Sequence, residues 1–251
     1  MTDPSPTDPT SDGPSSFFKA MAHAFDATIR ERRKRPEFIG ALCLQAFDSF
    51  EGNLVIQTEG APAIACAGDC PACCVLRVVA TAPEVFLIAR FVNANQRALA
   101  QRGVDLPGRI AAINAFANGC SESARMALRQ PCPYIEAGLC LLYRLRPLAC
   151  RGHASYDKNA CLAATNGYDA DTAVSTPHLM VRSMVQNAMM SSMRSAGLAW
   201  RLYELNGAVA IALDDADAEQ RWIDGEDPLL PAAIADFDAA EIAATFDTLR
   251  S

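Results

Sequence analysis

Apolar residues recur at helical spacing over most of the chain. Phe17, Phe18, Met21, Ala22, Phe25 and Ile29 mark a first amphipathic helix. It runs into the basic run Arg30-Glu31-Arg32-Arg33-Lys34-Arg35 and stops at Pro36. Cations suit its last turn, where the helix dipole leaves partial negative charge. The run reads as a solvated helix end, with a membrane surface or an acidic partner as the alternative use. Phe38, Ile39, Leu42, Ala46 and Phe47 predict a second helix over 37–50, with Cys43 inside its apolar face. Leu54-Val55-Ile56 predicts a short strand, and residues 75–80 an extended segment.

Thr81-Ala82-Pro83-Glu84 has the form of a capping box and opens a helix to about residue 100. Gly103, Pro107 and Gly108 are expected to break it, and 109–129 is again helical. Residues 167–174 form a polar turn. Ser175-Thr176-Pro177 then starts a long helix with Met180, Met184, Met189, Met190 and Met193. Adaptable core filling explains these methionines better than soft copper ligation. Residues 198–213 predict a helix or helix pair broken at Gly207, and 214–227 an acidic connector. Asp238 to Glu241 opens a final helix that buries Ile242, Phe246 and Leu249.

The expected fold is mainly α: a single helical domain with irregular Cys-rich loops and little β. Its parts are a disordered N-terminus (1–16), N-terminal helices (17–60), a cysteine-cluster core (61–165) and C-terminal helices packed on that core (166–251). Fully 51% of the 251 residues are apolar, enough for a core without cysteine bridges. A net charge of −7 argues against nucleic acid as a partner. There is no apolar run long enough for a transmembrane segment and no secretory signal at the N-terminus. A cytoplasmic location follows, where thiols stay reduced.

That location makes the ten cysteines informative. Eight fall in the window 66–161: Cys66, Cys70, Cys73 and Cys74, then Cys132, Cys140, Cys150 and Cys161. Such density in a reduced chain points to a metal site. Gly68 permits a tight turn and Pro71 stiffens the first loop. Cys73 and Cys74 are adjacent, so they suit different metals or different corners of a cluster. Pro131 and Pro133 bias Cys132 to extended backbone, and Pro147 lets Cys150 turn inward.

Arg144, Arg146 and Arg151 surround the second thiol group. Arg146 and Arg151 are the candidate cofactor-binding cations, able to offset thiolate charge; the plain alternative is a surface ion pair. Two zinc sites of four thiolates each, or an iron–sulfur cluster with thiols to spare, both fit. His153 or Asp157 is able to replace a thiol in either arrangement, although a lone histidine is more often only hydrogen-bonded. Cys43 and Cys120 read as non-ligands. The Cys66-x3-Cys70-x2-Cys73 spacing is shared with radical-SAM enzymes. Ala72, Cys74 and the missing strand–helix alternation set this chain apart from them.

Taken together, Cys66-x3-Cys70-x2-Cys73-Cys74, Thr81-Ala-Pro-Glu84, Cys132-Pro133-Tyr134, Cys140-Leu-Leu-Tyr143-Arg-Leu-Arg146-Pro147-Leu-Ala-Cys150-Arg151 and Ser155-x-Asp157-x3-Cys161 resemble the YkgJ-type cysteine-cluster family, a zinc- or iron-chelating group. The likeness covers roughly 66–161. It implies metal binding through the eight cysteines and no agreed reaction. A related module belongs to flagellin lysine-N-methylases with an iron–sulfur centre. This chain lacks a glycine-rich loop after a strand for S-adenosylmethionine, so a methylase role is distant. The expected function is cytosolic chelation of zinc or iron. The alternatives are an enzyme or enzyme subunit, with Cys74 as one candidate reactive thiol, and metal buffering or delivery. Metal ions are the expected partners, with a protein partner left open.

Overall fold

A computed structural model describes residues 13–117, 119–235 and 238–251. The expected disorder of 1–16 falls largely outside these. Residues 14–16 already belong to the first helix, α1 (Pro14–Arg32), where a proline in the first turn costs no hydrogen bond.

The fold is mainly helical. Helix α2 spans Phe38–Gln57, so the strand expected at 54–56 is instead the last turns of this helix. Nothing between Asn53 and Gln57 breaks the ladder, and the Thr58 N–H still reaches the Leu54 carbonyl. Val55 and Ile56 are consequently exposed on that helix. Strand β1 (Val79–Thr81) leads into α3 (Ala82–Gln101) through the expected capping box. Pro107 and Gly108 do not exclude helix: they occupy the first turn of α4 (Leu106–Ala117), where the backbone N–H groups have no intrahelical partner. Gly119, in the left-handed region, separates α4 from α5 (Glu122–Leu128), so the single helix expected over 109–129 is two.

A two-residue hairpin joins β2 (Ile135–Glu136) to β3 (Leu139–Cys140). Its corner residues, Ala137 and Gly138, both have positive φ, which matches the right-handed strand twist. Then come α6 (Leu148–Gly152), α7 (Lys158–Thr165) and α8 (Thr176–Ser195). The segment expected to be helical from 198 begins with strand β4 (Leu202–Glu204), antiparallel to β1 with Ala80 opposite Tyr203. Gly207 is no break. It lies in the first turn of α9 (Leu205–Asp214), and its N–H donates to the capping Glu204 carboxylate at 2.6 Å.

The acidic connector contains α10 (Ala218–Ile223). Trp222 there is fully buried, with ring centroids 6.0 Å from Phe38 and 5.8 Å from Phe86. Its apolar surface outweighs the local charge. Helix α11 (Ala239–Arg250) closes the chain, capped by Asp238 as expected.

Helix α8 is the spine: α1, α2, α6 and α11 all pack on it. Met189, Met190 and Met193 lie buried there, as core filler. The basic run ends in structure. Arg33 donates to the carbonyls of Ile223 and Ala196 at the ends of α10 and α8, and neighbouring cations stay exposed. No helix among the described residues is long and apolar enough to cross a membrane.

Candidate metal centre

The first thiol loop, 61–78, contains turns and no helix or strand. Local bonds shape it: Cys70 N–H to the Ala67 carbonyl at 3.0 Å, and Cys74 N–H to the Pro71 carbonyl at 2.9 Å. Gly68 is not in the left-handed region; it lies flat against the Tyr143 ring instead. The loop is tied outward at both ends. Ala65 N–H donates to the Ser155 carbonyl at 2.8 Å, and the Ser155 N–H returns to Cys66 Sγ at 3.3 Å. At the other end, Cys132 N–H donates to the Cys74 carbonyl at 2.6 Å.

The second group hangs on the hairpin. Ile135 sits opposite Cys140 in the β2–β3 register, and its N–H reaches the Cys132 carbonyl. The Tyr134 N–H also donates to the Cys132 sulfur, and the Leu142 N–H to the Cys140 sulfur. Bonds of this kind favour thiolate and aim its lone pairs. Cys150 lies in α6, whose N-cap is Pro147. Gly152 lets α6 press on α8, since a Cβ there would meet the Arg182 side chain at 2.5 Å. Cys161 rides on α7, which Asp157 caps by accepting from Asn159 and Ala160 N–H. Both bonds use Asp157 Oδ1, so one carboxylate oxygen serves as the cap.

All eight expected cysteines line one cavity of about 340 Å³, and Cys43 and Cys120 do not. Cys43 is fully buried in α2, and the Cys120 thiol points back to the Phe116 carbonyl. All ten thiols are free. His153 and His178 also line the space. His178 Nδ1 pairs with the Ser175 hydroxyl at 2.7 Å, which leaves the other ring nitrogen uncommitted. Among the described residues, no three Cys, His, Asp or Glu side chains close on a single point as an ion would require. The sulfurs face a shared space rather than a common centre.

Burial pushes most of these thiols up: Cys132 to about 12, and Cys66, Cys140 and Cys150 also above the usual range. Cys73 moves the other way, brought down to about 7 because the Cys74 thiol donates to its sulfur and Arg146 stands nearby. Cys74 is pushed up by the same bond.

The two candidate arginines part company. Arg146 lies 4.1 Å over the Tyr143 ring, and its buried Nε has no hydrogen-bond partner. Its charge favours the thiolates of Cys73, Cys140 and Cys150. Arg151 lines the cavity, yet its guanidinium is spent elsewhere. It donates to the carbonyls of Arg146 and Arg144, pairs with Glu51 and stacks on Phe47. Arg151 therefore holds the 144–146 turn. Sequence reasoning missed Arg125. It is 3% exposed, its Nε and Nη1 lack partners, and its charge favours the Cys132 thiolate. Its place seven residues before Cys132 is the only sequence signal.

No family model, curated protein or solved structure matches the chain.

Proposed function

We propose that this chain is a thiolate metal-binding protein of the YkgJ-type kind, holding zinc or iron through Cys66, Cys70, Cys73, Cys74, Cys132, Cys140, Cys150 and Cys161. One observation carries the reading. Sulfurs from five segments, 95 positions apart at the extremes (161 minus 66), line a single cavity that excludes the other two cysteines. The donor set fits: soft sulfur ligands suit zinc or iron–sulfur centres. Backbone N–H donors already sit on the sulfurs of Cys66, Cys132 and Cys140.

Bound metal would supply the cross-links that the 61–78 loop lacks, so that metal affinity becomes folding stability. The residues themselves orient the sulfurs through the Ser155, Tyr134 and Leu142 N–H groups. Arg146 offsets charge, and Arg151 holds the turn between Cys140 and Cys150 in place. Ten free thiols accord with a reducing, cytoplasmic setting.

Anaerobic purification followed by elemental analysis and an absorption spectrum on one sample tests this. Zinc without colour, or iron with sulfide and a broad charge-transfer band, is the expected result. A chain that is metal-free as purified, and that takes up neither zinc nor iron, overturns it.

A further inference from the structure

We infer that His178 is a nitrogen ligand of the metal centre, bound through Nε2, with Ser175 and Tyr156 holding its ring. This goes beyond the thiolate reading and rests on it.

Ser175 takes the N-cap position of α8, where a hydroxyl ordinarily accepts an N–H from the second or third helical residue. The second residue, Pro177, has no N–H to offer. The third is His178, and the Ser175 side chain makes no bond to its N–H either. The hydroxyl turns instead to the His178 ring and meets Nδ1 at 2.7 Å. Tyr156 Oη stands 3.0 Å from the same Ser175 oxygen. A cap of this kind is worth about 1 kcal/mol, and the hydroxyl forgoes it to fix an imidazole. When Nδ1–H donates to Ser175, the Ser175 hydroxyl donates to Tyr156 in turn, and Nε2 keeps its lone pair. A hydrogen bond at one ring nitrogen is how a histidine is oriented toward a metal at the other.

The backbone sets this ring among the thiols. Ser175 N–H donates to the Ala154 carbonyl at 2.8 Å, and Val174 pairs with Ser155 in an antiparallel bridge. Ser155 is the residue whose N–H reaches Cys66 Sγ. A Cβ at Gly152 would lie 3.2 Å from the His178 carbonyl, so α6, which carries Cys150, packs directly on the first turn of α8. Phe50 packs against the ring, with centroids 6.3 Å apart.

His178 is only 5% exposed, and it lines the thiol cavity. Among the described residues, the one hydrogen bond to its ring is the bond at Nδ1. A buried ring nitrogen without a partner is costly, and a metal ion supplies one. Neutral imidazole also adds a donor without adding negative charge to a site already rich in thiolate, and it suits both zinc and iron. Residues 61–78 contain no helix or strand, so their sulfurs are the ones able to close on this fixed nitrogen. His178 lies outside the 66–161 window, which is why cysteine spacing does not point to it.

The test uses the full-length wild-type chain, labelled with nitrogen-15 histidine and loaded with cadmium-113. Long-range proton–nitrogen correlation NMR reads the ring nitrogens. A one-bond cadmium–nitrogen splitting is expected on Nε2 of His178. Bound cadmium with no splitting at His178, or with the splitting at His153 instead, overturns the assignment. A chain that takes up no cadmium fails differently, since it overturns the metal-binding reading itself. Ser175→Ala is expected to weaken cadmium affinity by about 10–100-fold, as loss of a ligand's orienting partner does. Unchanged affinity in that variant overturns the role given to Ser175.

Discussion

Glu84 Oε1 accepts a hydrogen bond from the Leu148 backbone N–H at 2.7 Å, across 64 residues. Its other oxygen accepts the Thr81 N–H and hydroxyl, both at 2.8 Å. One buried carboxylate therefore closes the N-terminus of α3 and that of α6, the helix bearing Cys150. Glu84→Gln replaces one acceptor with a donor that faces N–H or O–H groups. We expect it to destabilise the chain by about 1–3 kcal/mol. Metal content should fall along with thermal stability. An unchanged melting temperature contradicts the double cap.

Arg151 has a different duty from Arg146. Its planar fork spans two carbonyls and Glu51, which a single ammonium does not reproduce. Arg151→Lys should lower stability by about 1–3 kcal/mol and leave metal stoichiometry unchanged. Loss of metal without loss of stability would place Arg151 at the metal instead.

Cys73 should be the fastest thiol of the metal-free chain at neutral pH. Its sulfur is held near 7, while burial keeps Cys132 and Cys150 protonated. Brief iodoacetamide treatment with peptide mapping should find Cys73 modified first. Preferential labelling of Cys74 would reverse the assigned direction of the bond between them.

His153 and His178 are both held below the usual histidine range. Burial is the larger cause in each, with Arg182 adding for His153 and Arg146 for His178. Each then binds fewer protons folded than unfolded. Their contribution is complete above about pH 6.5 and is lost as pH falls below it. The urea midpoint should drop from pH 7.5 to 5.5, and less steeply in His178→Gln. Parallel curves for the two proteins would exclude His178 as a source.

Cys43→Ser should leave bound metal unchanged, because that thiol lies inside α2 and off the cavity. The buried hydroxyl should still destabilise the fold by about 1–3 kcal/mol. Elemental analysis and thermal melting of the same sample separate these effects.

Several features were legible in the chain itself. Periodicity of 3.6 located α1, α3, α8 and α11, because each pairs a long apolar stripe with a local start signal. The cysteine window was legible too, as was the exclusion of Cys43 on its apolar face. Where local signals were weak, the reading failed. Leu54-Val55-Ile56 is β-branched in part, but it has no partner strand, so α2 simply continues. Leu202 to Glu204 becomes a strand because Val79 to Thr81 lies beside it to accept the ladder. Trp222 turns an acidic connector into core because Phe38 and Phe86 are there to cover it. The site divides the same way. Residue type and spacing singled out the eight cysteines that line one cavity. Only tertiary structure decided that Arg151 serves a turn, that Arg125 stands buried beside Cys132, and that Glu84 reaches Leu148. Each of these depends on which distant backbone groups are left needing a partner, and one-dimensional spacing carries no such information.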